Sequence, residues 1–205
     1  MSVESPSARV TAHRRVLDRL DRAPEPAAGV RTGLAPMAVF VLGGIALWLS
    51  LIALNNATDF DTNRTLIGDT ISMKAIIADH AAGRGLAWRA WSGGAAGPLF
   101  AAIIAYQVLT AGFLWRAVVT GIRAIRTPGA DLTPFVRRTN QALMMFAGLF
   151  LFFLIGGLWF AYWLHLGPAQ QVHFTLLVVG ALLAILVNLI PIVEAVLERS
   201  RTTGS

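Results

Sequence analysis

Three long stretches of this chain contain no Asp, Glu, Lys or Arg, and their lengths limit what it can fold into. They cover residues 32–58, 90–115 and 139–193. Each exceeds the roughly 18 residues that mark a candidate membrane span, and the third is long enough for two. Inside the third, residues 166–171 contain a glycine, a proline and two glutamines, which are typical of a turn. The sequence therefore predicts an all-α integral membrane protein with four transmembrane helices.

These stretches divide the chain into an arm, a membrane domain and a tail. The membrane domain covers residues 35–196, with a loop at 56–96 between its first two helices. Residues 1–34 form a basic arm, in which apolar side chains on one side favour an amphipathic helix; a solvated arm held to lipid by charge alone fits equally well. Residues 197–205 form the tail. The four spans are predicted near residues 35–55, 97–117, 140–164 and 172–194.

The net charge of +6 is concentrated in particular segments. Arginines crowd the arm, the connection between the second and third spans, and the tail, whereas in the long loop four basic residues are balanced by four aspartates. Basic residues near span ends are retained in the cytoplasm. The pattern therefore predicts a multi-pass protein of the bacterial inner membrane with cytoplasmic N- and C-termini and an external loop. It indicates membrane lipid, and no nucleic acid, as a partner.

Short polar side chains cluster where the first span ends. Asparagine and aspartate can cap helices and accept hydrogen bonds from backbone N–H groups. We therefore expect these side chains to fold the external loop back over the outer ends of the helices. The residues concerned are Asn55, Asn56, Asp59 and Asn63.

The rest of the external loop contains two further features. Apolar residues recur at helical spacing over 65–82, which predicts one or two short amphipathic helices on the outer face. Trp88 and Arg89 follow between glycines, a pattern typical of an interfacial anchor leading into the second span.

These motifs together resemble a known family. They are Asn55-Asn56-x-Thr58-Asp59-Phe60-x-x-Asn63, then Ser72-Met73, then Trp88-Arg89-Ala90. With the four-span profile they resemble the bacterial small integral membrane proteins grouped as domain-of-unknown-function family 2165, over residues 36–190. The chain departs from the family pattern at residues 69–74, where the family has His-Val-Leu-Ser-Met-Asp, and at Gln107, where it has an acidic residue. The resemblance implies the architecture and no chemistry.

Histidines are the side chains that could hold a metal or haem here, since the chain has no cysteine. His80, His165 and His173 are all predicted on the external side. They are candidate ligands for copper, zinc or haem, but no two have the spacing of adjacent helical ligands. Hydrogen bonding at the interface is the favoured role, so we predict no cofactor, with contact to lipid, quinone or pigment left open.

A few polar and small residues are predicted at membrane depth. Gln107 and Thr110 in the second span and Asn188 in the fourth are expected to bond neighbouring helices, because a transport path would more often contain ionisable groups. Glycines in the second and third spans predict close helix packing; they are Gly112, Gly148, Gly156 and Gly157. Aromatic residues crowd the third span, where they face lipid by default, or else a pigment, a quinone or a partner; they are Phe146, Phe150, Phe152, Phe153, Trp159 and Phe160.

No phosphate-binding glycine loop, catalytic triad or paired carboxylate motif is present in the sequence. We therefore predict a protein that is not an enzyme, namely an accessory or structural subunit. It would pack against a larger membrane complex of the respiratory, photosynthetic or membrane monooxygenase type. Two alternatives remain: a redox, quinone or haem-binding membrane anchor, and a small oligomeric transporter or channel.

Overall fold

The computed structural model describes residues 33–79 and 83–203, and this part of the chain is helical with no strand. Short 3-10 turns at Arg84–Arg89, Gly93–Ala95 and Tyr162–Leu164 join the α-helices. The basic arm, residues 80–82 and the last two residues lie outside the described part. The α-helices are α1 (Leu34–Thr58), α2 (Phe60–Ile71), α3 (Lys74–Ala78), α4 (Ala96–Arg126), α5 (Thr133–Trp159) and α6 (Gly167–Thr203).

Four of these helices, α1, α4, α5 and α6, are long and apolar enough to cross a membrane, which confirms the predicted fold class. They form an antiparallel bundle in which α1 packs on α4, α4 on α5, α5 on α6, and α6 closes the ring on α1. We call the end with α2, α3 and the α5–α6 connection the loop end. The end with the α4–α5 connection at 127–132 is the basic end.

The interior of the bundle is apolar and includes some of the large aromatic side chains of α5. Phe146, Phe150 and Phe160 are buried, whereas Phe152 and Trp159 are exposed. The default expectation that these aromatic residues face lipid is therefore wrong for the first three. Sequence crowding alone gives no rotation about the helix axis, and the rotation decides which rings enter the core.

The boundaries of α4 and α5 differ from the predicted spans. The Thr133 N–H donates to Asp131 Oδ1 at 2.8 Å, and Pro134 occupies the first turn, so α5 begins before residue 140. The other end of α5 is set by Ala161, whose φ of 53° is incompatible with a continuing helix. Helix α4 continues past residue 117 to Arg126 because its last turns expose their arginines.

Helix α6 is longer than predicted at both ends. Residues 166–171 were predicted as a turn, but Gly167 and Pro168 form the first turn of α6. Proline is tolerated there because the N–H groups of a first turn have no partner within the helix. The helix also continues through Pro191 to Thr203, so most of the predicted tail is helical.

The loop contains two short helices, but they begin earlier than predicted. The chain bends at Asp59, with φ −115° and ψ 56°, and α2 starts immediately after it. Met73 has a φ of 52° and separates α2 from α3. The polar residues after the first span therefore lie in helices and at one bend, not in an extended run of turns.

Close helix packing involves Gly121 as well as two of the glycines predicted from the sequence. A Cβ atom on Gly148 would lie 3.0 Å from Tyr106 Oη of α4, and one on Gly157 would collide with Gln170 of α6. A Cβ atom on Gly112 or Gly156 would meet no atom within 4 Å. A Cβ atom on Gly121 would collide with the side chains of Val39 in α1 and Phe135 in α5. The prediction of close packing is therefore confirmed for Gly148 and Gly157 and wrong for Gly112 and Gly156, since neither of the last two faces a neighbouring helix.

Candidate functional site

A cavity of about 420 Å³ lies at the loop end of the bundle, between all four spanning helices and beneath α2. This volume falls within the range of small-molecule binding sites in proteins. Aromatic and aliphatic side chains form most of its wall, with α1 contributing Trp48 and Ile52 and α4 contributing Phe100 and Ile103. We call this space the loop-end cavity.

The wall of the loop-end cavity contains no Asp, Glu, Lys or Arg among the described residues. A charged group placed there would lose its hydration without gaining a counter-ion, which is costly. The chemistry of the wall therefore favours an uncharged occupant. The polar lining residues are Asn56, Asn63, Thr70, Gln107, Tyr162 and His173.

Two of these polar residues join α1 to α4. The Asn56 Nδ2 atom donates to Gln107 Oε1 at 2.9 Å, and Gln107 is only 3% exposed. The bond satisfies an acceptor that would otherwise be buried without a partner. It also sets the depth at which the two helices meet beside the cavity.

A second polar pair lies on the opposite wall. Tyr162 Oη and His173 Nδ1 are 3.0 Å apart, and the His173 ring stacks on Phe153 with centroids 4.5 Å apart and an interplanar angle of 17°. Phe150 approaches the same imidazole at 6.1 Å. Burial raises the pKa of Tyr162 to about 12, so the phenol stays neutral at physiological pH.

Helix α2 covers the cavity and is held by contacts at both of its ends. Phe60 packs on Phe100 of α4 with ring centroids 5.0 Å apart. At the other end the Trp91 N–H donates to the Ile71 carbonyl at 2.8 Å, and the Trp91 ring meets Phe160 edge-on. These contacts make α2 a fixed cover of the bundle rather than a detached surface helix.

The 3-10 turn at Arg84–Arg89 provides another attachment. The Arg89 guanidinium lies 5.3 Å from the ring centroids of both Trp88 and Trp159, and Nη1 donates to the Trp159 carbonyl at 3.5 Å. Cation–π contacts of this kind are favourable at an interface. The two residues thus connect the loop to the end of α5.

The cavity is open to its surroundings, because several of the side chains that line it are exposed. Helices α1 and α6 pack less extensively than the other neighbouring pairs. Trp48 of α1 and Val172 of α6 line the cavity and are 36% and 51% exposed. Because both belong to predicted membrane-spanning helices, the opening faces the region that acyl chains would occupy.

A second apolar cavity of about 410 Å³ lies between α2, α3 and the α5–α6 connection. It is on the outer side of α2, and its rim includes the Asp69–Lys74 ion pair at 3.1 Å. The two cavities share part of one wall, so a thin layer of side chains separates them. The shared residues are Leu66, Thr70, Phe160, Tyr162 and Leu166.

The polar residues predicted to fold the loop have different roles from those expected. Asn55 is exposed, and Asp59 precedes α2 but makes no side-chain capping bond. Asn63 is half-buried and lines the cavity. The expectation that Asn55, Asp59 and Asn63 bond backbone N–H groups is therefore wrong for the described residues. Asn56 instead makes its bond to a side chain of another helix.

Two of the three polar residues predicted at membrane depth bond a neighbouring helix, and the third does not. Gln107 bonds Asn56, and Asn188 exchanges two hydrogen bonds of 2.9 Å with Asn140 of α5, which confirms the expected interhelical role of both amides. Thr110 is buried and donates to the Tyr106 carbonyl of its own helix, so the prediction is wrong for this residue.

The predicted candidate histidines are not brought together. His165 lies in the α5–α6 connection, with Nε2 3.7 Å from Asp79 Oδ2, whereas His173 is bonded to Tyr162 within the bundle. His80 lies outside the described residues. Within the described part of the chain, no group of three potential metal ligands occurs.

Sequence reasoning missed Tyr162, Asn140 and Tyr106 as bonding residues. Tyr106 Oη donates to the Met145 carbonyl at 3.2 Å and so connects α4 to α5. Tyr162 was assigned to a helix that in fact ends before it. The polar side chain of Asn140 in an apolar span indicates a bonding residue. Its partner cannot be identified from the sequence, because Asn188 lies on another helix with no regular spacing from it.

Comparisons with known proteins identify the family of this chain. No curated protein and no solved structure matches it. A family model described as a predicted small integral membrane protein matches residues 35–190, which include all four spanning helices and the loop. This match confirms the resemblance drawn from the loop motifs. The chain belongs to that family of small integral membrane proteins, domain of unknown function 2165.

Proposed function

We propose that this protein is a non-catalytic membrane protein that holds an uncharged, largely apolar molecule in the loop-end cavity. The observation that carries the proposal is the wall itself, which is apolar, contains no Asp, Glu, Lys or Arg, and retains a few hydrogen-bonding groups. Sites for small molecules usually combine an apolar wall with a few polar groups that orient the ligand.

The surrounding bilayer is the proposed source of the ligand. Trp48 of α1 and Val172 of α6 line the cavity and are also exposed on helices that would contact lipid. These two helices pack less extensively than the other neighbouring pairs. A molecule dissolved among acyl chains would enter there without crossing water, whereas α2 covers the other approach.

Filling the cavity with a side chain tests this proposal. Gly156 borders the cavity, and a Cβ atom on it would meet nothing within 4 Å. We expect Gly156→Leu to reduce the occupancy of bound apolar molecules by about tenfold, because an extra side chain in an occupied space costs 1 kcal/mol or more. Native mass spectrometry of protein purified in mild detergent measures this occupancy.

Gly112→Leu is the matched control. Its Cβ atom would also meet nothing within 4 Å, but Gly112 does not line the cavity. We expect this variant to retain the bound molecules of the wild type. Equal occupancy in all three proteins, or a wild type that retains no molecule except detergent, would overturn the proposal.

We further propose that the loop end is external and that the basic end, with both termini, is cytoplasmic in a bacterial inner membrane. The distribution of arginines supports this orientation. Because the chain contains no cysteine, single cysteines at Arg84 and Arg126 can be labelled in intact cells with an impermeant thiol reagent. We expect labelling at position 84 and none at 126, and the reverse pattern would refute the orientation.

An accessory role in a larger membrane complex is compatible with ligand binding and stays a prediction. The aromatic residues of the third span support this role less than expected. Phe146, Phe150 and Phe160 are buried and offer no surface to a partner. The exposed apolar side chains that remain, such as Phe40 and Met144, suit lipid as well as protein.

A further inference from the structure

We infer that the loop-end cavity recognises a quinone or quinol headgroup, with the Nε2 atom of His173 bonding a carbonyl or hydroxyl oxygen of its ring. The inference rests on the proposed function and names the chemical class of its ligand. Four properties of the described residues support it: a free ring nitrogen, an aromatic wall, the absence of charge, and an opening that leads to lipid.

His173 has one nitrogen engaged and one available. Its Nδ1 atom is 3.0 Å from Tyr162 Oη, and among the described residues Nε2 has no hydrogen-bond partner. Because Tyr162 holds one edge of the ring and Phe153 one face, the imidazole is fixed in place before a ligand arrives. A fixed donor or acceptor loses little entropy on binding.

The available nitrogen suits both oxidation states of a quinone. If the phenol donates to Nδ1, Nε2 carries the proton and donates to a carbonyl oxygen. If Nδ1 carries the proton, Nε2 accepts from a hydroxyl group. The tyrosine hydroxyl can donate or accept in turn, and so the pair can bind a quinone or its quinol without any change in net charge.

The neighbouring wall suits a flat ring. Phe150 and Phe153 both contact the imidazole, and Trp48 and Phe100 contribute further aromatic surface to the same cavity. Aromatic rings gain from offset or edge-to-face contacts beyond the area that they bury. A saturated acyl chain would fill this space but would gain none of these ring contacts.

The charge of the wall separates a quinone from the commoner membrane molecules. A phospholipid headgroup or a fatty acid carboxylate would require a basic partner, and no Lys or Arg lines the cavity in the described chain. A quinone headgroup is neutral, and its tail is apolar. Trp48 and Val172 are both exposed and line the cavity, so a tail that passes between α1 and α6 would reach the bilayer beside them.

The test is equilibrium binding of decylubiquinone and its reduced form to the full chain in nanodiscs. Quenching of the tryptophan fluorescence of the protein measures the binding. Decanol, which has the same tail without the ring, serves as the competitor. We expect both oxidation states to bind and decanol to compete weakly. His173→Phe, which keeps a ring but removes Nε2, should weaken binding about fivefold, the usual value of one hydrogen bond.

His165→Phe is the matched control, since His165 does not line the loop-end cavity. We expect it to bind like the wild type. His173→Gln, which restores a donor and an acceptor, should recover most of the lost affinity and guards against misfolding as an explanation. Equal binding by the wild type and His173→Phe, or equal affinity for decanol, would overturn the inference. If decanol binds as tightly as decylubiquinone and Gly156→Leu abolishes this binding, the inference fails while the proposed function stands. If neither probe binds, both fail.

Discussion

Gly121→Leu is expected to lower the free energy of unfolding by about 3 kcal/mol, the upper part of the range for overpacked cores. Gly121 of α4 faces both α1 and α5, and a Cβ atom there would collide with Val39 and with the ring of Phe135. Phe135 is fully buried, so its ring has no space into which to move. Thermal unfolding in detergent, followed by circular dichroism, measures the effect.

Gly112→Leu on the same helix provides the comparison. Both variants replace a helical glycine by the same residue, so helix propensity changes equally. A side chain at Gly112 meets nothing within 4 Å, and we expect the melting temperature to stay the same or rise slightly. If the two variants have the same melting temperature, the claim that the three helices approach closely at Gly121 is refuted.

Asn56→Leu is expected to lower the free energy of unfolding by about 2 kcal/mol. Interhelical hydrogen bonds in membranes are usually worth about 1 kcal/mol or less, whereas a buried acceptor left without its partner costs about 1–3 kcal/mol. The cost of the unpaired acceptor determines the expected loss, because Gln107 is 3% exposed and its Oε1 atom accepts from Asn56. Thermal unfolding in detergent again provides the measurement.

Two further variants distinguish this bond from a general effect of losing asparagine. Asn55→Leu removes the adjacent, exposed residue and should change stability by less than about 0.5 kcal/mol. Adding Gln107→Leu to Asn56→Leu removes the stranded amide as well, so the double variant should be more stable than Asn56→Leu alone. A double variant whose losses simply add would show that the two side chains do not interact.

Much of the architecture could be predicted from the sequence because hydropathy is a local property. A helix that crosses a bilayer must be apolar along its whole length, and a stretch such as residues 32–58 shows this without reference to any other part of the chain. The same reasoning placed the connection between the third and fourth spans within a few residues. It failed at the ends of α5, where a single capping contact from Asp131 and one backbone angle at Ala161 set the limits.

The candidate site was less predictable because its residues meet only across helices. Asn56 and Gln107 were both selected from the sequence, but as a loop-folding residue and a membrane-depth amide, with nothing to indicate that they bond each other. His173 was selected as a possible ligand, whereas its partner Tyr162 was assigned to the interior of a span. Pairing of this kind depends on the rotation and the depth of each helix.

The four spans and the structured loop between the first two could be read from the amino-acid sequence alone. Apolar length and loop motifs are properties of single segments, and they were sufficient for the family as well. The packing of the helices was needed to show that the loop covers a cavity, that Phe146 and Phe150 of α5 are buried, and that Gly121 rather than Gly112 permits close packing. The physical reason is that cavities and contacts arise from how helices are rotated and spaced, and similar hydropathy profiles are compatible with many such arrangements.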